Sequence, residues 1–276
     1  MRLGLSSWAC AWSIGVPGQE PSHKLDAVGL IAFASDLGLD LVQMADNLPV
    51  ADYAEVRRAA IRRGMSIELG TRGIGAEHLR TQLDLCRLLD SRILRVVIDT
   101  REHQPSPDEV VESIKPMLPD LKAAGVTLGI ENHDRFSTRT FADIVSRIGD
   151  ASVGICLDTV NSFGSLEGPE VVVKTLAPMT VNLHVKDFVV LRASHLMGFE
   201  ITGTPAGEGR LDIPWLLDAI QSTGRNPSAI IEHWPAPEAT IEETAAKERL
   251  WCERSVENMR KLIPAGLGNA SSTSPA

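Results

Sequence analysis

Eight times along the chain a short apolar run is followed by a longer segment whose apolar residues recur at helical spacing, and the order never reverses. The runs are Arg2–Ser7, Asp40–Met44, Ser66–Leu69, Ile93–Ile98, Val126–Ile130, Val153–Leu157, Thr180–Val185 and Ala229–Glu232. The helical segments are Leu25–Leu37, Asp52–Arg63, Ala76–Leu89, Pro107–Ala124, Ser137–Ile148, Pro169–Leu176, Ile213–Thr223 and Ile241–Leu262. Strands joined through helices pair in parallel, because the chain must cross over to begin the next strand on the same side. Eight such units predict an α/β chain folded as a single (β/α)8 TIM barrel over residues 1–263. An open doubly wound sheet is the competing arrangement, but "GLSSWACAW" stands where its GxGxxG turn belongs. Gly38, Gly64 and Gly125 follow helices as left-handed caps do, and Pro107 and Pro169 suit first turns. The tail 264–276, "PAGLGNASSTSPA", is expected to be disordered.

Charge and cysteine usage narrow the function classes. A net charge of -9 and a pI near 5.3 repel a phosphate backbone, and "RRAAIRR" is interrupted by apolar residues at helical spacing, so nucleic acid is not an expected partner. Cys10, Cys86, Cys156 and Cys252 are scattered, with no CxxC pair, and read as buried thiols in a reducing compartment. No stretch approaches the roughly 18 apolar residues of a membrane span, and "MRLGLSSWAC" lacks a signal peptide's apolar core. A cytoplasmic enzyme with a small-molecule substrate is the expectation.

In a barrel of this kind the chemistry sits at the C-terminal ends of the strands. Strand ends five to eight carry Glu131, Asp158, His184 and Glu232, each directly after four or five apolar residues. A single strand-end carboxylate ordinarily caps the next helix, and a single histidine is ordinarily a satisfied core residue. Four in successive strands, about 4.8 Å apart, converge on one point. Three carboxylates gathered there repel one another unless a cation neutralises them. The hard, oxygen-rich set with one imidazole suits a divalent ion, Mn²⁺ foremost, with Mg²⁺, Co²⁺ or Zn²⁺ as alternatives. Such an ion stabilises an enediolate, and Glu131 and Glu232 flank it as candidate proton carriers.

The stretches "GIENHDRFST", "VGICLDTVNSFGS", "VNLHVKDF", "GTPAGEGRLDIPWLLDAI" and "AIIEHW" resemble the sugar phosphate isomerase/epimerase family of xylose isomerase-like TIM barrels, whose architecture is shared with the AP endonuclease 2 group. The resemblance spans the whole barrel. It implies one divalent metal held by Glu131, Asp158, His184 and Glu232, with Glu131 and Glu232 as the catalytic acid/base pair. Two departures matter. The third and fourth strands end in "IELGTRG" and "RVVIDTREH", without the histidines that give the endonuclease relatives further metals. The arginine that ketose 3-epimerases carry six residues after the metal histidine is here Val190, the nearest arginine being Arg192.

Around this centre, Trp8 and Trp12 are candidates for an aromatic wall against a sugar's C–H face. Arg72 is a candidate carboxylate holder or a partner of Glu68, itself a candidate substrate contact. His133, Asn161 and Lys186 follow metal ligands closely enough to reach substrate, or to orient the ligands. Residues 191–210 are long for a βα loop and are expected to form a lid, with His195, Met197 and Phe199 as covering residues. "GEGR" is a weak phosphate cradle because Glu208 lies within it.

The leading expectation is a metal-dependent isomerase or epimerase acting on a small sugar or sugar-acid carbonyl compound through an enediolate. The alternative is decarboxylation (C–C lyase chemistry) of a 3-oxo sugar acid such as an oxo-isoapionate-like compound, which uses the same enediolate. Arg72, Val190 and the resemblance of residues 184–212 to a branch acting on oxidised sugars favour it. Dehydration of a keto-inositol is a third reading, and a non-catalytic sugar-binding barrel the last. Analogy with such barrels gives a homo-dimer or tetramer as the expected assembly.

Overall fold

The computed structural model describes residues 1–265, so the tail expected over 264–276 falls almost wholly outside the described residues. The described residues form ten strands: β1 (Leu3–Ser6), β2 (Leu41–Met44), β3 (Ser66–Arg72), β4 (Ile93–Val97), β5 (Thr127–Glu131), β6 (Val153–Asp158), β7 (Thr180–Val185), β8 (Asp187–Arg192), β9 (Phe199–Thr204) and β10 (Ser228–Ile231). Eight close a barrel in the order β1-β10-β7-β6-β5-β4-β3-β2, and every pair around it is parallel. The helices are α1 (Ala11–Ile14), α2 (Ala27–Asp36), α3 (Tyr53–Arg63), α4 (Ala76–Leu89), α5 (Pro107–Ile114), α6 (Leu118–Ala124), α7 (Thr138–Ile148), α8 (Pro169–Leu176), α9 (Ile213–Gln221) and α10 (Ile241–Arg260). Among the described residues none is long and apolar enough to cross a membrane.

Local chemistry sets the boundaries. Ser106 and Thr240 cap α5 and α10 reciprocally with Glu109 and Glu243. Gly64 and Gly125 end α3 and α6 in the left-handed conformation that a side chain would strain. The helix expected over Pro107–Ala124 is two helices: Pro116 has no N–H to give and breaks the ladder in a 3-10 turn, Lys115–Met117.

The segment 191–210, expected as a lid, has regular structure in its first part. β8 and β9 pair antiparallel from Asp187↔Thr204 to Arg192↔Phe199, so this segment begins as a hairpin projecting from the barrel rim. "DFVVLR" and "FEITGT" are rich in β-branched and aromatic residues, which is the strand signal the length of the connection obscured.

Helix faces such as Phe141, Ile144, Val145 and Ile148 of α7 are buried, and with the outward strand residues they form the apolar shell of the core. Inside the barrel the composition changes. Gln43, Glu68, Arg95, Glu131, Asp158, Asn182, His184 and Glu232 are all buried. Barrel interiors are usually filled by branched aliphatic residues, so this polar filling is the fold's main departure from a purely structural core.

Candidate metal centre and its cavity

Glu131 ends β5, Asp158 ends β6, His184 is the penultimate position of β7 and Glu232 directly follows β10. Asp158 and His184 are register partners, so neighbouring strands deliver them side by side. His184 Nδ1 lies 3.8 Å from Glu131 Oε1, 3.8 Å from Asp158 Oδ2 and 3.4 Å from Glu232 Oε1. Two atoms that each sit about 2.1 Å from one cation are at most about 4.2 Å apart. All three separations satisfy that limit.

Hydrogen bonding within this ring is incomplete. Glu131 Oε2, Asp158 Oδ2, His184 Nδ1 and Glu232 Oε1 are buried without a well-formed hydrogen bond. Yet their companion atoms are fixed: Asp158 Oδ1 accepts from the Val160 and Asn161 amides at 2.8 Å, and Glu131 Oε1 accepts from Asn161 Nδ2 at 2.7 Å. Buried acceptors are normally paired. Asp158 Oδ2, His184 Nδ1 and Glu232 Oε1 converge, and Glu131 approaches them through Oε1, a set that fits a bound divalent ion.

A buried arginine and a largely buried lysine stand beside the carboxylates. Arg95 Nε is 3.0 Å from Glu131 Oε2, while Lys186 Nζ is 2.8 Å from Asp158 Oδ2 and 2.9 Å from Glu232 Oε2. Burial alone would lower the Lys186 pKa, but Asp158, Glu232 and Glu131 carry it well above the ordinary lysine value. Burial would likewise raise Glu232, yet the positive charges packed beside it, Lys186 and Arg95 among them, hold it well below the usual carboxylate range. Three carboxylates face two fixed cations, so the ring keeps one net negative charge; a divalent ion would reverse its sign.

Beneath the ring lies a second polar layer. Gln43 Oε1 and His184 Nε2 are 2.7 Å apart. Gln43 Nε2 donates to Asn182 Oδ1 at 2.9 Å and to Glu68 Oε2 at 3.2 Å. Asn182 Nδ2 donates to Glu68 Oε2 at 2.9 Å, and the Ser228 hydroxyl donates to Glu68 Oε1 at 2.5 Å. Burial raises the Glu68 pKa while Ser228, Gln43 and Asn182 oppose that rise.

Above the ring opens a cavity of about 740 Å³, walled in part by Trp8, Trp12, Arg72, His133, Asn161 and Trp234, with Arg95, Glu131, Lys186 and Glu232 at its base. Trp12 is anchored through Nε1 to the Pro235 carbonyl at 3.2 Å, and Glu248 of α10 accepts from the Trp12 and Ser13 amides at 2.9 Å. Arg72 faces Asp46 at 3.5 Å and donates to the Asp99 carbonyl at 3.2 Å; it does not meet Glu68. His133 Nδ1 is 2.5 Å from Asp134 Oδ1, with the imidazole on the cavity wall.

Two expected contacts lie elsewhere. Glu68 belongs to the layer beneath the ring and is not among the cavity's lining residues. His195 sits in the exposed hairpin turn, where Nδ1 accepts from the Met197 amide at 3.2 Å. Met197 and Phe199 are 83% and 67% exposed and cover nothing; it is Ile201 and Thr202, nearer the barrel, that line the cavity. The "GEGR" amides are already occupied, since the Asp187 carboxylate accepts from Gly207, Gly209 and Leu211 at 2.9–3.0 Å. A side chain at Gly209 would run into that carboxylate. Arg95, Gln43 and Glu248 are contributors that the strand-end reading passed over. The signal for the first two was a lone polar residue inside an apolar strand, "ILRVV" and "LVQM", at positions where alternation aims it inward.

A sequence profile of the xylose isomerase-like TIM barrel family matches residues 31–255. The chain is 32% identical over 271 residues to 3-oxo-isoapionate decarboxylase of Pectobacterium atrosepticum, covering 96% of this chain and 97% of that protein. In structure it is similar to D-psicose 3-epimerase crystallised in the presence of D-fructose, with a TM-score of 0.70, 17% identity, and 95% and 99% of the two chains covered. It is also similar to the IolI protein described with a bound zinc atom, with a TM-score of 0.65, 15% identity, and 95% and 99% covered. At those identities the structural likeness is one of fold.

Proposed function

The chain belongs to the xylose isomerase-like TIM barrel family, and from that premise we propose that it is a divalent-metal-dependent decarboxylase of a small 3-oxo sugar acid. The observation that carries this reading is the charge balance of the ring. Glu131, Asp158 and Glu232 are opposed by only Arg95 and Lys186, so a divalent ion leaves the centre net positive, as an anionic substrate requires. Arg72 adds a further guanidinium to the cavity wall. The 32% identity to a 3-oxo-isoapionate decarboxylase across nearly all of both chains supports the same substrate class.

Glu131, Asp158, His184 and Glu232 would hold the ion, which when bound supplies Lewis-acid charge for the substrate's oxygens. The remaining work falls to the chain's own residues. Trp8 and Trp12 present aromatic surface to the carbon skeleton, and Arg72 orients the carboxylate. The bond between that carboxylate and the adjacent carbon breaks, CO₂ leaves, and the electron pair passes to the 3-oxo oxygen to give an enediolate. The carbon then takes a proton from the Glu232–Lys186 pair, whose 2.9 Å contact keeps a proton at the cavity base.

A second reading, isomerisation or epimerisation through the same enediolate, is favoured by one observation: Glu131 and Glu232 both reach the cavity, one on each side of His184. It is weakened by the cations beside them, because Arg95 and Lys186 make both carboxylates poorer bases. Incubating Mn²⁺-loaded protein with ketoses and 3-oxo sugar acids in D₂O separates the readings. CO₂ release with one deuteron gained at the former carboxyl-bearing carbon supports the decarboxylase. Deuterium exchange without CO₂ release supports the isomerase and removes the first reading. Arg72→Ala is expected to raise KM for a sugar acid by about 10- to 100-fold, the loss of one charged hydrogen-bonding partner. An unchanged KM would take Arg72 out of substrate binding.

A further inference from the structure

The layer under the ring dictates something about the ring itself. Glu68 Oε2 receives two amide donors, Gln43 Nε2 and Asn182 Nδ2, while Oε1 receives the Ser228 hydroxyl. With the carboxyl ionised, or carrying its proton on Oε1, Oε2 is an acceptor, and Gln43 turns its NH₂ downward to it. Asn182 Nδ2 is held by the same oxygen, which leaves Asn182 Oδ1 to take Gln43's other hydrogen at 2.9 Å. Gln43's carbonyl is therefore the end that faces upward, 2.7 Å from His184 Nε2. A carbonyl oxygen only accepts, so Nε2 carries the hydrogen, and in the neutral imidazole that a metal requires Nδ1 keeps its lone pair. Nδ1 is the atom that faces Glu131, Asp158 and Glu232.

We propose that Gln43, oriented by Glu68, is a positioning residue that locks His184 in its Nε2–H tautomer and so presents a free Nδ1 lone pair to a divalent cation. The metal part of this statement rests on the reading above; the tautomer part does not. Second-layer partners of metal-bound histidines typically change affinity by about 10- to 100-fold when removed. Here the partner is three residues deep and spans the barrel: β7 offers the imidazole and Asn182, β2 offers the amide, and β3 offers the carboxylate.

The test uses ¹⁵N-histidine-labelled full-length protein without added metal, followed by titration with Mn²⁺ and Co²⁺. Wild type is expected to show a hydrogen on His184 Nε2, and an Nδ1 free of hydrogen once the ion is bound. Gln43→Met removes the acceptor; it is expected to mix the tautomers and weaken Mn²⁺ binding by about 10- to 100-fold. The exchanged pair, Gln43→Glu with Glu68→Gln, returns an acceptor to His184 and is expected to restore both the tautomer and the affinity. An Nδ1–H tautomer in wild type overturns the proposal without any variant. It is equally overturned if Gln43→Met keeps wild-type tautomer and affinity, or if the exchanged pair binds as weakly as Gln43→Met. Should wild type bind neither ion, the metal reading fails, while the nitrogen spectra still decide the tautomer.

Discussion

Gln43, Glu68, Asn182 and Ser228 in the barrel floor hand hydrogen bonds to one another until each has a partner. In the ring directly above, Glu131, Asp158, His184 and Glu232 each leave a buried atom without one. Both layers are polar, both are largely buried, and both are carried by the strands of one barrel. A satisfied network stabilises and orients, because every desolvated group recovers a partner. An unsatisfied convergent set does the reverse, and is kept in a fold only where something else binds it. Burial and charge therefore do not distinguish the two layers; hydrogen-bond completeness does.

The strongest way to break that contrast is to neutralise the ring. Glu232→Gln is expected to lower turnover by about 10²- to 10⁴-fold, the usual contribution of a positioned acid or base, and Glu131→Gln to lower it through loss of a metal ligand. Each also takes a carboxylate from a cation packed against it, Arg95 or Lys186, so a loss of metal-free stability is expected alongside. A loss of folding with activity retained would place these residues in the structural layer instead. Next in size is the response to a divalent ion. At about 100 times its dissociation constant, Mn²⁺ is expected to stabilise wild type by about 2.7 kcal/mol, with no such gain in His184→Leu. An equal gain in both would mean that the ring is not where the ion binds. Cutting the floor should act in the opposite sense: Asn182→Leu strands one donor on Gln43 and one acceptor on Glu68, and is expected to cost about 1–3 kcal/mol of stability. Denaturant titration of that variant at wild-type stability would mean the floor contributes nothing that water does not replace.

The sequence made the ring legible and the floor invisible for a physical reason. Glu131, Asp158, His184 and Glu232 stand at strand ends, where an ionisable residue after an apolar run is conspicuous. Gln43 and Asn182 sit within strands, flanked by apolar residues, and an isolated amide there has no local signature of its partner across the barrel. Arg95 was hidden in the same way: its pair with Glu131 is formed between β4 and β5, and Gly70 on β3 is what leaves space beside its guanidinium. The (β/α)8 order was readable because periodicity is local. The hairpin was not, since β8 and β9 add a second sheet that departs from the alternation. Lys186 was legible as a residue beside a metal ligand; in space it turns to Asp158 and Glu232, while Asp187 collects backbone amides from the segment after the hairpin.

Glu248 offers the finest test, because it is a buried carboxylate that is satisfied like the floor yet lines the cavity like the ring. Burial pushes its pKa up to about 7, against the opposing pull of the Trp12 and Ser13 amides. Its folded value thus lies above that of a free glutamate, so between about 4.5 and about 7 the native state holds a proton that the unfolded chain has released. Stability must then fall as pH rises through that window, by at most about 1.4 kcal/mol per pH unit, and level off above it. His233 contributes with the opposite sign: burial holds its pKa at about 4, so its share of stability is lost as pH falls from 6.5. Glu248→Gln removes only the first term. Subtracting the variant's stability curve from wild type's cancels His233 and every other common group, and the difference is expected to slope downward from pH 4.5 to 7. A flat difference would mean that the α10 carboxylate is already ionised, and that the clamp on Trp12 holds its charge throughout. In that case hydrogen bonding from two backbone amides outweighs burial, and Glu248 belongs with the floor.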